Sequence, residues 1–483
     1  MNSKLQIHWF RYDLRIADNP ALHAALTAGH VLPVFILDDT DDVTSKIGSA
    51  SKWWLHQGLQ SLNLSLGNRL FFCRGDSKEI IPRLAEQYGV EAVFWNRCYE
   101  PHWADIDRVV EEKLVRFGVA AKSFNGSQLW EPWEVVKRDG EPYKVFTPFF
   151  KRGCLSHSLP DEPVGLPELY RWKDNIKSQM SLEDLGLLSS HDWYQGLRER
   201  WVVSEDQAQK TLSGFLEEKL SGYSEGRDYP AQPKTSDLAP LIRWGQVSIH
   251  RIYRELCRKR ESYVDLEAAD RFFSQLGWRE FSHCLLHHFP GLPDHNMQKK
   301  FDAFPWIIED DFMLKSWQSG NTGIPFVDAA MRELWQTGFM HNRLRMVVGS
   351  FLVKNLLIDW RLGRDWFWDC LVDADLANNS MGWQWIAGCG VDAAPYFRVF
   401  NPVLQGKKFD AGGEYTRRFV PELERLPTKF LFNPWEASDS ILSEAGVVLG
   451  ETYPRPIVDL RASRIRALKA YASIRGDKKT SQI

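Results

Sequence analysis

The segment LQIHWFRYDLRIADNPALHAALTAGHVLPVFILD (Leu5–Asp38) holds, in order, a strand, a capped helix and a second strand. Leu5–Phe10 is a short apolar run. Asn19 then stands as an N-cap, Pro20 takes the first helical position, where a missing N–H costs nothing, and Gly29 marks the stop. Val31–Asp38 follows as a second strand. The unit repeats along the chain. Ser51–Leu66 reads as a helix, Arg69–Arg74 as a strand, Lys78–Tyr88 as a helix, Val90–Asn96 as a strand, Trp103–Phe117 as a helix and Val119–Phe124 as the last strand. Strands alternating with helices predict an α/β domain with a five-stranded, doubly wound parallel sheet, because parallel neighbours need a crossover between them. Ligands of such sheets sit at the carboxyl ends of the strands. No GxGxxG follows the first strand, which argues against a conventional dinucleotide site there.

Further along, the pattern changes twice. From Glu131 to about Gly196 the prolines 132, 142, 148, 160, 163 and 167 interrupt any period, and the stretch reads as a connector lying over the surface. From Glu199 onward helical spacing dominates, in Gln207–Tyr223, Gly245–Arg258, Leu266–His287, Pro325–Gln336, Asn342–Leu357 and Arg461–Ala472. The expected organisation is an α/β domain over residues 1–130, a long linker over 131–198, an all-α domain over 199–475 and a short tail over 476–483.

Composition narrows the function classes. The chain has 483 residues, enough for two or three domains, with 44% hydrophobic and 25% charged residues, which excludes disordered and collagenous chains. The longest uncharged stretch, Asn19–Leu37, is interrupted by His23, His30 and Pro33, so no membrane association is expected. No basic-then-apolar leader opens the chain, and the seven scattered cysteines contain no CxxC, so a cytoplasmic protein without disulfide framework or metal site is expected. A net charge of −3 confines any nucleic-acid surface to a local patch. The chain carries 21 Trp, more than packing usually requires, so some are expected to stack on a planar ligand or on bases.

Hydrolytic chemistry finds no support: HExxH, GxSxG and P-loop patterns are absent, and the adjacent His287 and His288 face different ways on a helix. The density of amides, charges and aromatics between Phe339 and Pro402 stands out instead. Asn342, Arg345, Met346 and Gly349 fall on one helical stripe, unusual for a core because burying Asn and Arg unpaired costs about 1–3 kcal/mol. Asp373 and Asp375 are available as partners, and an Arg345–Asp373 salt bridge is one reading. Trp383 and Trp385, two residues apart after a Gly, suit a wall for a planar group.

These residues resemble the photolyase/cryptochrome flavoprotein family over nearly the whole length. The resemblance is carried by WFRYDLRIADNPAL (Trp9–Leu22), WEPWEVVKRDGEPYKVFTPFF (Trp130–Phe150), GRDYPAQPKTSDLAP (Gly226–Pro240) and QLGWREF (Gln275–Phe281). It is carried equally by MHNRLRMVVGSFLVKNLLIDW (Met340–Trp360) and DADLANNSMGWQWIAGCGVDAAPYFRVFNP (Asp373–Pro402), most like a bacterial cyclobutane-dimer photolyase. The resemblance implies an antenna-binding α/β domain and a helical domain holding FAD, which accounts for the missing glycine fingerprint. It places the flavin pocket on Tyr223, Thr235, Ser236, Leu238, Gln275, Arg279, Asn342, Arg345, Asp373, Asp375 and Asn379. The run T-S-D-L-A-P has Ala239 where relatives commonly carry a second Ser, so one phosphate contact falls to backbone or water. Asn379 would face the flavin's reactive ring nitrogen. An uncharged amide there favours a reduced, anionic flavin, whereas the Asp of plant-type cryptochromes would repel it. The resemblance also implies an electron wire of Trp383, Trp360 and Trp306.

The reaction so implied is light-driven splitting of cyclobutane pyrimidine dimers in UV-damaged DNA, a carbon–carbon lyase activity of a monomeric cytoplasmic protein, nucleoid-associated when bound to DNA. The lesion must leave the duplex stack. By resemblance its pocket comprises Gln275, Trp278, Asn342, Arg343, Met346 and Trp385, with Arg227, Arg343, Arg398, Lys407 and Lys408 toward phosphates; the lysine pair reads equally as a solvated turn. Gln275 replaces a common Glu, which implies retained binding and a lower quantum yield. The alternatives are (6-4) photoproduct repair, whose histidine pair is replaced here by Asn342 and Met346, and a cryptochrome-like blue-light receptor. A second antenna chromophore, folate or deazaflavin, is implied in the first domain, although His102 and Trp103 stand where folate-binding relatives keep Asn and Glu.

Overall fold

The structure is a computed structural model that describes residues 4–40, 47–165, 171–173, 175–261, 266–308, 310–393 and 397–475. Its first part is an α/β sheet with β1 at Leu5–Phe10, β2 at His30–Leu37, β3 at Phe71–Arg74, β4 at Ala92–Asn96 and β5 at Ala120–Phe124. The strands lie in the order β3-β2-β1-β4-β5, and every pairing is parallel. The crossovers are helices α1 (Pro20–Ala28), α2 (Ser49–Ser65), α3 (Ser77–Gln87) and α4 (Pro101–Arg116). With helices available for both faces, the central strands read as almost unbroken apolar runs. Ile7, Trp9, Leu32, Val34, Val93 and Trp95 are all buried in one cluster.

The strand order reverses between β1 and β4, and a buried polar knot fixes the backbone there. Asn19 caps α1 by accepting from the Leu22 N–H at 3.0 Å. Asn96, at the end of β4, donates to Asp13 at 2.6 Å and to the same Asn19 oxygen at 2.8 Å. Burial opposes ionisation of Asp13, yet His8, the Arg11 backbone N–H and Arg15 hold its carboxyl down at about 2. The carboxyl ends of β1 and β4 are thereby locked together, where a ligand of such a sheet is expected.

The proline-rich stretch differs from the surface connector expected of it. Val135, Phe146, Phe149 and Cys154 are buried, and just before the stretch Glu280 accepts from the Leu129 N–H at 2.8 Å. Its prolines break the period while single aromatic anchors carry the burial, so no hydrophobic pattern reveals it.

Beyond this stretch the chain is helical. Two of the expected helices are interrupted. Glu205–Gly214 passes into a wider π turn at Phe215–Lys219, and Asn342–Ser350 into another at Phe351–Leu356 that ends on Leu357 at φ 59°. The helix expected from Gly245 starts at Ile249 instead, because Gly245 turns at φ 66° and Ser248 accepts from the His250 N–H at 3.1 Å. Leu266–His288 and Leu460–Ser473 form as expected. The tail 476–483 lies outside the described residues. Among the described residues no helix is long and apolar enough to cross a membrane.

The chain forms two compact units. One is Met1–Ser221 with Ser236–Pro290 and Val372–Ala377, and the other is Gly222–Thr235 with Gly291–Leu371 and Asn378–Ile483.

Candidate active site

In the sheet-bearing unit the helix Leu266–His288 presents Gln275, Arg279 and His283 four residues apart, on one face. Arg279 donates to Gln128 at 3.2 Å and to Glu280 at 2.9 Å. His283 Nε2 lies 3.3 Å from Asp375 Oδ2, with both side chains buried. Burial works against the Asp375 charge, but His283, Arg243 and Arg279 outweigh it and hold the carboxyl far below the usual carboxylate range. His283 was not among the expected site residues, although its spacing from Gln275 and Arg279 is the available signal.

The acidic loop Val372–Ala377 belongs to this unit because two neighbouring side chains hold its backbone. Arg243 Nε donates to the Ala374 carbonyl at 2.7 Å, and Trp244 Nε1 to the Val372 carbonyl at 2.9 Å. Arg243 is itself fixed by Glu100 at 3.1 Å and lies 4.0 Å over the Tyr12 ring. Tyr12, Glu100, Gln128, Arg243, Arg279, His283 and Asp375 line one cavity, reached from the carboxyl ends of β1, β4 and β5. Gln128 Nε2 and His283 Nδ1 are buried there without a hydrogen-bond partner among the described residues. Buried polar atoms of that kind fit a polar ligand or ordered water. Of the expected run T-S-D-L-A-P, Ser236 accepts from the Leu238 N–H at 3.4 Å, Leu238 is buried, and Asp237 turns at φ 56° while pairing with Arg200 at 2.9 Å.

His102 and Trp103 are structural in this unit. Trp103 is buried against Trp9 and Arg11, and His102 is 3.9 Å from Glu100.

In the second unit the helix Asn342–Ser350 is capped by His341, whose Nδ1 accepts from the Arg343 N–H at 3.2 Å. Burial, with Arg343, Arg227 and Arg345 assisting and Asp228 opposing, pushes His341 down to about 4, so it accepts as a neutral ring. Asn342 is exposed, and Arg345 and Met346 are half-buried. Arg345 Nε donates to the Met340 carbonyl at 2.8 Å. Tyr223 is buried, with the Arg227 guanidinium 5.3 Å over its ring. Arg343 pairs with Asp228 at 2.8 Å and lies 4.3 Å over Phe409, on the helix Pro402–Phe409 that carries exposed Lys407 and Lys408. Five cations toward phosphates were expected, and this unit holds all of them: Arg227, Arg343, Arg398, Lys407 and Lys408.

Arg398 is placed through its backbone: Lys354 Nζ donates to its carbonyl while standing 4.8 Å over Phe397. Burial, assisted by the nearby Arg398 charge, pushes the Lys354 ammonium down to about 7. Between pH 7 and its ordinary value near 10.5 the unfolded chain then binds the extra proton, so this residue makes stability rise with pH across that interval. Lys354→Met is expected to flatten that rise, read by denaturant unfolding of both proteins at pH 7 and pH 9. Equal slopes in the two would refute it.

The helix Leu376–Ala387 carries the remaining residues. Asn379 donates one of its two amide N–H groups to the Arg364 carbonyl at 3.0 Å. Trp383 is buried edge-on to Phe367 at 5.0 Å, its ring lying on Gly363, where any Cβ would collide with it. Trp385 is half-buried and donates to the Asp392 carbonyl at 3.1 Å. The single wall expected of the two tryptophans is not formed, because two residues of helix separate them by about 200°. Trp360 is fully buried and donates to Asn296 at 3.0 Å, and Trp306 is half-buried, 4.2 Å from Phe304. The Ile307 N–H donates to Leu357 and the Asp359 N–H to Ile307, at 2.8 and 3.2 Å, bringing the segments of Trp306 and Trp360 side by side. Ser380 Oγ and Trp383 Nε1 are buried without a hydrogen-bond partner among the described residues. Asn342, Arg345 and Asn379 supply this unit with amide and guanidinium groups of the kind that bind a polar ligand.

Residues 272–473 match the family model described as the FAD binding domain of DNA photolyase, and residues 6–168 that of DNA photolyase. The chain is 44% identical over 477 residues to the deoxyribodipyrimidine photo-lyase of Agrobacterium fabrum, covering 97% of this chain and 98% of that protein. It is 37% identical to cryptochrome-2 of Arabidopsis thaliana, covering 98% of this chain and 79% of that one. Among solved structures, a bacterial class III photolyase from Agrobacterium tumefaciens superposes with a TM-score of 0.93 at 43% identity, covering 98% of both chains.

Proposed function

This chain belongs to the DNA photolyase and cryptochrome family, and on that premise we propose that it splits cyclobutane pyrimidine dimers in UV-damaged DNA under blue light. It is a carbon–carbon lyase with FAD as its cofactor. FAD, when reduced and illuminated, supplies the electron that opens the ring joining the two pyrimidines. The chain therefore needs no nucleophile. Its residues hold the cofactor, receive the lesion and exclude water.

The observation that carries this reading is the orientation of Asn379. One of its two amide N–H groups is held by the Arg364 carbonyl, and the same side chain offers Oδ1, an acceptor without charge. Such an acceptor suits a ring nitrogen that bears a proton, as a reduced flavin does, and adds no repulsion to an anion. Arg345 and Asn342 would flank the same ring, with Gln275, Arg279, Asp373 and Asp375 also toward the cofactor. Tyr223, Thr235, Ser236 and Leu238 would hold the phosphate end. Trp383, Trp360 and Trp306, passing from buried to half-exposed, would carry electrons inward from the surface.

On the substrate side, Arg227, Arg343, Arg398, Lys407 and Lys408 would meet phosphates, and Trp278, Met346 and Trp385 would pack on the flipped-out bases. Base stacking on an aromatic ring contributes about 1–3 kcal/mol. The chain acts as a monomer in the cytoplasm, on nucleoid DNA, and a folate or deazaflavin antenna would occupy the first domain by contacts other than those of His102 and Trp103. The test is loss of dimers from UV-irradiated DNA under blue light and not in darkness. FAD-loaded protein that leaves dimers intact under light would overturn the proposal.

Gln275 bears on efficiency. Its amide donates to a dimer carbonyl but releases no proton. Gln275→Glu is expected to raise dimers split per absorbed photon up to several-fold with dark affinity nearly unchanged, measured by actinometry beside oligonucleotide binding. An unchanged quantum yield would remove Gln275 from the rate-determining chemistry.

A further inference from the structure

The motif V-F-T-P-F-F (Val145–Phe150) helps identify the family, yet no role described so far uses it. In the structure it lies in the sheet-bearing unit beside the helix Leu266–His288. Phe146 stacks on Trp278 with ring centroids 3.8 Å apart and planes 9° from parallel. Phe150 continues the stack behind Phe146 at 5.5 Å and 12°. Phe281 closes the edge, 6.0 Å from Phe146 and 5.9 Å from Trp278, and both Phe146 and Phe281 are buried. Gly277 makes the arrangement fit: a Cβ there would stand 2.5 Å from the Phe150 ring.

One face of the Trp278 indole is therefore covered by protein at contact distance. Trp278 is half-buried, and among the described residues no ring stacks on its opposite face. A tryptophan on a helix has two rotatable bonds, and ordering it on binding has an entropic cost. Phe146 removes that freedom beforehand, because tilting the indole would break a parallel stack backed by a second ring. We infer that Phe146 is a positioning residue for the lesion: it fixes the plane of Trp278 so that the opposite face is presented to the extruded pyrimidines. This rests on the proposed role of Trp278 in lesion stacking.

The test uses FAD-loaded protein and a single-stranded oligonucleotide containing one thymine dimer, bound in the dark. Phe146→Leu keeps apolar bulk but removes the flat face, and is expected to weaken dimer affinity roughly 3- to 10-fold. Phe146→Tyr is expected to restore it to within about twofold, while affinity for the undamaged oligonucleotide and FAD content stay constant. In a Trp278→Ala background the further change Phe146→Leu is expected to cost nothing, since there is no indole left to hold. A loss of equal size in both backgrounds would show a merely structural role and overturn the inference. Trp278→Ala weakening the complex while Phe146→Leu does not would overturn it while leaving the lesion pocket intact. Trp278→Ala without effect would instead refute the stacking role itself. Should Phe146→Leu fail to fold, Phe146→Met carries the same comparisons.

Discussion

Arg243→Met lowers the unfolding free energy by about 3–5 kcal/mol, the expected cost of leaving one partner of a buried ion pair alone. Arg243 and Glu100 are both nearly buried and 3.1 Å apart, so the glutamate left behind loses its guanidinium partner and keeps only the more distant His102, 3.9 Å away, beside it. The substitution also removes the donor that holds the Ala374 carbonyl and the cation lying over Tyr12. The acidic loop with Asp373 and Asp375 then loses one of its backbone tethers while the Trp244 bond and the His283–Asp375 contact stay, and FAD is expected to dissociate more readily. Arg243→Lys recovers part of the stability and little of the retention, because an ammonium cannot span Glu100 and the carbonyl with one fork. Denaturant unfolding and filtration of bound FAD measure the two effects. A change below about 1 kcal/mol with FAD retained would show that the pair is replaceable.

Asn379→Asp is the second large effect. A carboxylate has no N–H to give the Arg364 carbonyl, so one of its oxygens meets a carbonyl oxygen where a hydrogen bond stood at 3.0 Å. A like charge brought beside an anionic ring costs about 2–4 kcal/mol at an effective dielectric near 20. Blue-light repair is expected to fall by at least roughly tenfold, with the reduced cofactor no longer accumulating. Anaerobic absorption spectra taken before and after illumination, with FAD content measured alongside, separate this from simple loss of the cofactor. A variant that still accumulates the reduced form would remove Asn379 from redox control.

Much of the fold is legible in the chain because its signals are local. Asn19, Pro20 and Gly29 delimit α1, and the helix occupies Pro20–Ala28. The five strands follow from apolar runs that both faces of a covered sheet require, and their observed positions differ from the expected ones by a residue or two. What escapes is the part that depends on distant partners. Phe146 sits among prolines and charges, and its ring partners Trp278 and Phe281 on the helix Leu266–His288, more than a hundred residues on, show why it is buried. His283 and Arg243 are ordinary by pattern and gain their place through Asp375 and the carbonyl of Ala374. The wide turns at Phe215–Lys219 and Phe351–Leu356 carry no Pro to announce them. Trp383 and Trp385 look like a pair in the linear text, yet a helix turns them apart.

The loop Val372–Ala377 has a consequence for biosynthesis. The unit that contains the sheet is otherwise finished at Pro290, but its last six residues arrive only at position 377. On the ribosome, at roughly 5–20 residues per second, the nascent sheet domain must wait several seconds with the donors of Arg243 and Trp244 unclaimed. If the loop holds the cofactor as proposed, loading would be a late event in the life of each molecule, after most of the polypeptide has emerged.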